Sequence, residues 1–85
     1  MTSLTLPDKF IIPEGKTLNN EGTITNNFYR DITNKGTITN NNHATINNQG
    51  SELQLINKGA ITNNGTITGP INNEGTITGT GQSSG

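Results

Sequence analysis

Few residues in this 85-residue chain combine a reactive type with a useful spacing. The only histidine, His43, lies in Asn40-Asn41-Asn42-His43-Ala44, and there is no cysteine. Zinc and related metals need several imidazole, thiolate or carboxylate ligands brought together, so His43 reads as a solvated corner residue. The acids Asp8, Glu14, Glu21, Asp31, Glu52 and Glu74 are scattered, with no pair spaced for general acid–base work. No G-x-x-x-x-G-K-[ST] phosphate loop occurs, and the glycine turns lack the Asp of the calcium-binding nonapeptide repeat. Asn64-Gly65-Thr66 matches a glycosylation acceptor, but a repeat described below accounts for it better. No nucleophile, acid or metal set can be named, so the sequence reads as a non-enzyme with no catalytic, cofactor or metal residues. The one aromatic cluster, Phe28-Tyr29-Arg30, suits either a contact between subunits or a cover over a local edge.

Composition narrows the classes further. Only 26% of residues are hydrophobic, against about 45–50% apolar in ordinary domains. Such polarity usually means disorder, but the net charge is only −1. That weak charge offers no electrostatic reason to bind nucleic acid or anionic lipid. No apolar run is long enough to span a membrane as a helix. Met1–Asp8 lacks the basic start and apolar stretch of a signal peptide. The expectation is export by another route, release by lysis, or packaging on a particle.

The elements that must organise such a chain are written in its repeats. Thr17-Leu18-Asn19-Asn20-Glu21-Gly22-Thr23-Ile24-Thr25 opens a series that returns at Asp31–Thr39, Thr45–Gly50, Ala60–Thr68 and Pro70–Thr78. Gly22, Gly36 and Gly50 are fourteen residues apart, and Gly65 and Gly79 follow after fifteen and fourteen. The phrase breaks at Ser51-Glu52-Leu53-Gln54-Leu55, and the spacing shortens after Ile67. Within the phrase, Thr-Ile-Thr alternates with period two, which points Ile inward and both Thr outward on a strand. Asn-x-Gly segments mark turns, because Asn and Gly accept a left-handed backbone. Gly, Asn, Thr and Ile are poor helix formers, and no helical period appears.

These features predict an all-β chain, a single β-solenoid (β-helix) of short parallel strands with coils of about 14–20 residues. The glycine register favours fourteen residues and two strands per coil. A three-sided coil needs about 20 residues and is the preferred form here, regular or irregular. A series of β-hairpins with Asn-Gly turns is the competing local reading. In a solenoid, stacked coils hydrogen-bond along the axis about 4.8 Å apart. A file of Ile and Leu fills the narrow interior, and equivalent corner asparagines form amide ladders. Thr and Asn face outward. Glu21, Lys35, Gln49 and Glu74 share the middle position of the corner, where Glu21 beside Lys35 would make an exposed pair worth less than ~1 kcal/mol.

The chain divides into an N-terminal arm or cap strand (1–16), the repeats (17–79) and a Gly/Ser tail (80–85). Phe10–Leu18 reads as a strand, a turn at Pro13–Gly15 and entry to the first coil. Leu4, Leu6, Phe10, Ile11 and Ile12 form the most apolar segment, suited to capping that coil or to adding a strand to a neighbour. With Ile77 they are the candidate assembly interface. An uncapped edge is a template for another chain.

The run Ile12-Pro13-Glu14-Gly15-Lys16-Thr17-Leu18-Asn19-Asn20-Glu21-Gly22-Thr23-Ile24-Thr25-Asn26-Asn27 resembles the repeats of bacterial β-helical surface proteins, adhesins and haemagglutinin-type passenger domains. The resemblance spans roughly residues 12–79. It implies a β-helix at an extracellular, cell or spore surface. Those proteins are typically longer, with a secretion signal and an anchor. The functional expectation is a structural subunit that polymerises with itself, head to tail, into a fibre, with neither nucleic acid nor membrane insertion. Alternatives are an adhesin or phage-fibre module that binds a glycan or a surface anchor protein, and an ice-binding protein. The last follows from Thr23, Thr25, Thr37, Thr39, Thr66, Thr68, Thr76 and Thr78, whose outward pairs resemble the Thr-x-Thr lattice of ice-binding β-solenoids if they share a face.

Overall fold

The computed structural model describes residues 3–5, 10–26, 31–48 and 55–83. Among them are thirteen strands and no helix. The chain winds over three faces in turn. Face I holds β1 (Ser3–Thr5), β4 (Thr23–Asn26), β7 (Thr45–Asn48), β10 (Thr66–Thr68) and β13 (Gln82–Ser83). Face II holds β2 (Phe10–Ile12), β5 (Ile32–Asn34), β8 (Leu55–Asn57) and β11 (Ile71–Asn73). Face III holds β3 (Thr17–Asn20), β6 (Thr37–Asn40), β9 (Ala60–Asn63) and β12 (Thr76–Thr78). Every pairing among these strands is parallel. The fold is therefore a three-sided parallel β-solenoid, and the hairpin alternative falls, since hairpins are antiparallel. The expected strand over Phe10–Ile12 and the turn before β3 are both present.

The fourteen-residue register is not the coil. Thr23 stacks on Ser3, Thr45 on Thr23, Thr66 on Thr45 and Gln82 on Thr66, so successive coils take 20, 22, 21 and 16 residues. The repeated phrase is a corner unit, strand–corner–strand, used at the turns from face II to III and from face III to I. Gly22 and Gly36 occupy those two different corners, and fourteen residues is the path between them over the third. The I-to-II connections vary, spanning 6–9, 27–31, 49–54 and 69–70. Glu21 and Lys35 consequently stand on different corners, so the expected pair between stacked neighbours does not form. Lys35, Lys58 and Glu74 share the II-to-III corner instead.

Alternation sets the interior. Ile12, Ile24, Ile32, Ile38, Ile46, Leu55, Ile61 and Ile67 are buried and form one cluster. They fall in register: Ile24 on Ile46 and Ile67, Ile32 on Leu55, Ile38 on Ile61. Each file is one side chain wide, so a mostly polar chain still fills its interior. The strand-final asparagines correct the expected outward placement. Asn20, Asn26, Asn34, Asn40, Asn48, Asn57 and Asn63 are buried. Two residues after an inward Ile, period-two geometry turns them inward as well. Asn19, Asn47 and Asn72, one residue earlier, stay on the outer surface.

The glycines of the Asn-x-Gly corners, Gly36, Gly59, Gly65 and Gly75, serve a purpose other than the expected left-handed backbone. Positive φ is confined to Gly15, Gly69, Gly79 and His43 among the described residues. Gly36, Gly59 and Gly75 stack at one corner with ordinary φ. A Cβ on Gly59 would collide with the carbonyl oxygen of Gly36, and one on Gly75 with that of Gly59. Gly is needed because each corner rests directly on the backbone of the corner below.

Candidate functional site

The features best able to act are the asparagine ladders, the two end coils and the outer faces. The ladders of faces II and III begin from local turns. Asn20 Oδ1 accepts from the Gly22 amide at 3.0 Å, and Asn34 Oδ1 accepts from the Gly36 amide at 3.2 Å. These Asx-type bonds shape the corner. They leave the amide NH2 pointing along the axis. On face III, Asn20 Nδ2 donates to Asn40 Oδ1 at 2.8 Å, and Asn40 Nδ2 to Asn63 Oδ1 at 2.9 Å. On face II, Asn34 donates to Asn57 at 2.8 Å and Asn57 to Asn73 at 2.9 Å. On face I, Asn26 donates to Asn48 at 2.9 Å. The second amide hydrogen reaches a carbonyl in the next coil, as from Asn40 to Thr66 and from Asn57 to Thr76, both at 3.1 Å. Amides spent this way satisfy buried polar groups.

All these ladders run one way, with donors toward the C-terminal edge. Their ends differ. On face III the ladder closes: Gly79, with φ of 111°, follows Thr78 where a fourth Asn would stand, and Asn63 Nδ2 donates to the Gln82 carbonyl at 3.0 Å. On face I, Gly69 (φ 97°) lies against Asn48, whose buried Nδ2 has no partner among the described residues. On face II, Asn73 is exposed; its Oδ1 accepts from Asn57 and from Gly75, and its Nδ2 makes no bond among the described residues. The opposite end of that file is Ile12, which stands in register with Asn34.

The candidate assembly residues separate into distinct places. Phe10 and Ile77 are half-buried at inward positions, at opposite edges of the solenoid, as are Leu18 and Ile71. Ile11 points outward and is 41% exposed. Ile12 is 4% exposed and belongs to the chain's own core. Leu4 holds the register position of Ile24 in β1, and Leu6 lies outside the described residues. β1 and β2 complete the first coil, while β13, drawn from the Gly/Ser-rich segment, pairs with β10.

The eight array threonines fall on two faces. Thr23, Thr25, Thr66 and Thr68 lie on face I, and Thr37, Thr39, Thr76 and Thr78 on face III. Thr45 and Asn47 fill the gap on face I, where the Thr68 hydroxyl donates to Asn47 Oδ1 at 2.8 Å. Ala60 interrupts the face III file between Thr37 and Thr76. One further repeat is masked by its substitutions. Leu55-Ile56-Asn57-Lys58-Gly59-Ala60-Ile61-Thr62 is the corner unit with three apolar substitutions, and its Asn-Lys-Gly match to Asn34-Lys35-Gly36 was the available signal.

His43 sits exposed in its corner. Among the described residues no group of three or more His, Cys, Asp or Glu is placed to hold a metal. Phe28-Tyr29-Arg30, Gln49 and Glu52 lie outside the described residues. Fold and ladders together define a parallel β-solenoid with internal asparagine ladders. No protein-family model matches the chain, and no curated protein or solved structure in the comparisons matches it either.

Proposed function

We propose that this chain is a structural module that extends its solenoid by stacking edge to edge with further copies of itself, building a fibre. The observation that carries this reading is the state of the two end coils. Phe10 and Leu18 at one edge, and Ile71 and Ile77 at the other, continue the inward files of the core yet remain only partly buried. A second coil laid over either edge would bury them and pair edge strands that have no further neighbour among the described residues, since unpaired parallel edges template further strands. The polarity of the ladders makes the two edges different, so copies add head to tail, a heterologous contact that propagates. Electron microscopy and light scattering of the purified chain test this. Filaments that grow with concentration are expected; a chain that stays monomeric at tens of micromolar contradicts the reading.

A second reading is favoured by the outer surface of face I. Thr23/Thr25, Thr45/Asn47 and Thr66/Thr68 form two polar files in register on successive strands about 4.8 Å apart. A regular grid of hydroxyls, broken by the Asn47 amide, suits binding to ordered water. Thermal hysteresis of the purified chain decides it, and its absence removes this reading without touching the first.

A further inference from the structure

The arrangement of strands at the two edges determines how one copy can seat on the next. A coil climbs one strand spacing, about 4.8 Å, over three faces, so each face change climbs about 1.6 Å. The thirteen described strands begin and end on face I. The C-terminal edge is therefore a staircase, lowest over β11 on face II, then β12 on face III, and highest over β13 on face I. The N-terminal edge is a matching staircase, lowest at β1, then β2, then β3.

We infer that successive copies of the chain stack with a rotation of one face, so that β1 of the incoming copy seats on β11, β2 on β12 and β3 on β13. This rests on the stacking reading above and adds its symmetry. In that arrangement all three faces close at normal strand spacing. Unrotated stacking seats β1 on β13 and leaves a gap one strand wide over both β11 and β12. Rotation by one face in the other sense leaves the same gap over β11. Only the first removes every open edge.

Side-chain register agrees. With β2 on β12, inward Phe10 of the incoming copy lies over half-buried Ile77, and Ile12 lies over Gly79, which has no side chain. The amide beneath, Asn63 Nδ2, is already engaged by the Gln82 carbonyl, so Ile12 meets no unpaired donor. Unrotated stacking would instead aim Ile12 at Asn73. Each copy then advances the fibre by about 21 Å with a turn of about 120°, before any twist of the coils is added.

The test uses cysteine pairs, which the native chain cannot confuse because it has none. In the rotated stack, outward Ile11 stands beside outward Thr78 of the preceding copy at about 5 Å between Cα atoms, within disulfide reach. Without rotation, Ile11 faces Asn72 across the gap at about 10 Å, beyond that reach. Under mild oxidation, the Ile11→Cys/Thr78→Cys chain is expected to run as a ladder of covalent multimers, and Ile11→Cys/Asn72→Cys to remain single. Filaments in which the Thr78 pair fails to cross-link, or in which only the Asn72 pair does, overturn the rotation and leave stacking intact. Helical reconstruction of unsubstituted filaments gives a second readout, and a turn near zero overturns the inference independently. A native chain that forms no filaments overturns both proposals.

Discussion

Asn40 donates from Nδ2 to Oδ1 of Asn63, 2.9 Å away in the coil above, and the same Asn40 accepts from Asn20 in the coil below at 2.8 Å. Its side chain is wholly buried. Replacing it strands a donor on one side and takes an acceptor's partner away on the other. Orphaned buried polar groups cost about 1–3 kcal/mol each. Asn40→Ala is expected to lower stability by about 2–4 kcal/mol. Asn48→Ala should cost only about 1 kcal/mol, because Asn48 Nδ2 is already buried without a partner among the described residues. Urea unfolding of the two variants measures the difference; equal losses would mean the ladders contribute little.

The corner glycines make a separate ordering. Gly59→Ala drives a methyl into the Gly36 carbonyl, and backbone cannot yield as a flexible side chain can. A loss of about 3 kcal/mol is expected. Gly15 has φ of 84° but open space around its Cβ position. Gly15→Ala pays only the left-handed backbone term, about 1–2 kcal/mol. Thermal melts should rank Gly59→Ala well below Gly15→Ala, and the reverse order would point to conformation rather than contact as the reason for glycine.

Ile61 and Ile77 occupy one inward file, one coil apart, but Ile61 is fully buried and Ile77 only partly. Ile61→Ala should cost about 2–5 kcal/mol by cavity formation. Ile77→Ala should cost about 1 kcal/mol in the isolated chain, in keeping with its smaller burial. If copies stack, Ile77→Ala should also raise the concentration at which filaments appear. Sedimentation at several concentrations separates that effect from simple unfolding.

The connection from face I to face II spans four, five, six and two residues in successive coils. That variation predicts tolerance. Four Gly/Ser residues inserted after Glu52 should cost under about 1 kcal/mol, since loop-closure entropy grows slowly with length. The same insertion between Lys35 and Gly36 separates a corner from the one it rests on and should unfold the coil. Circular dichroism during urea titration distinguishes the two.

How much was legible beforehand can be followed through particular residues. Ile38 between Thr37 and Thr39 announced its own burial, because alternation is a local property of an extended backbone. The three-sided coil expected from the sequence is the one observed, with three stacked sheets. Asn34 illustrates what was hidden. As a polar residue beside a turn it reads as exposed, yet it is buried because Asn57 and the Ala60 carbonyl stand above it. Those partners lie 23 and 26 residues away in sequence. The array threonines were equally ambiguous: their outward direction was local information, but their division between faces I and III depended on coil length.

Neighbouring residues alone settle the strand and corner unit, the inward Ile and Leu, and the absence of helix among the described residues. Each of these follows from the conformational preferences of neighbouring residues. Contacts between coils settle which unit stacks on which, that the ladder asparagines lie inside rather than on the surface, and that Gly36, Gly59 and Gly75 serve close contact rather than a left-handed turn. Those outcomes arise where coils about 20 residues apart in the chain come to lie one strand spacing apart in space.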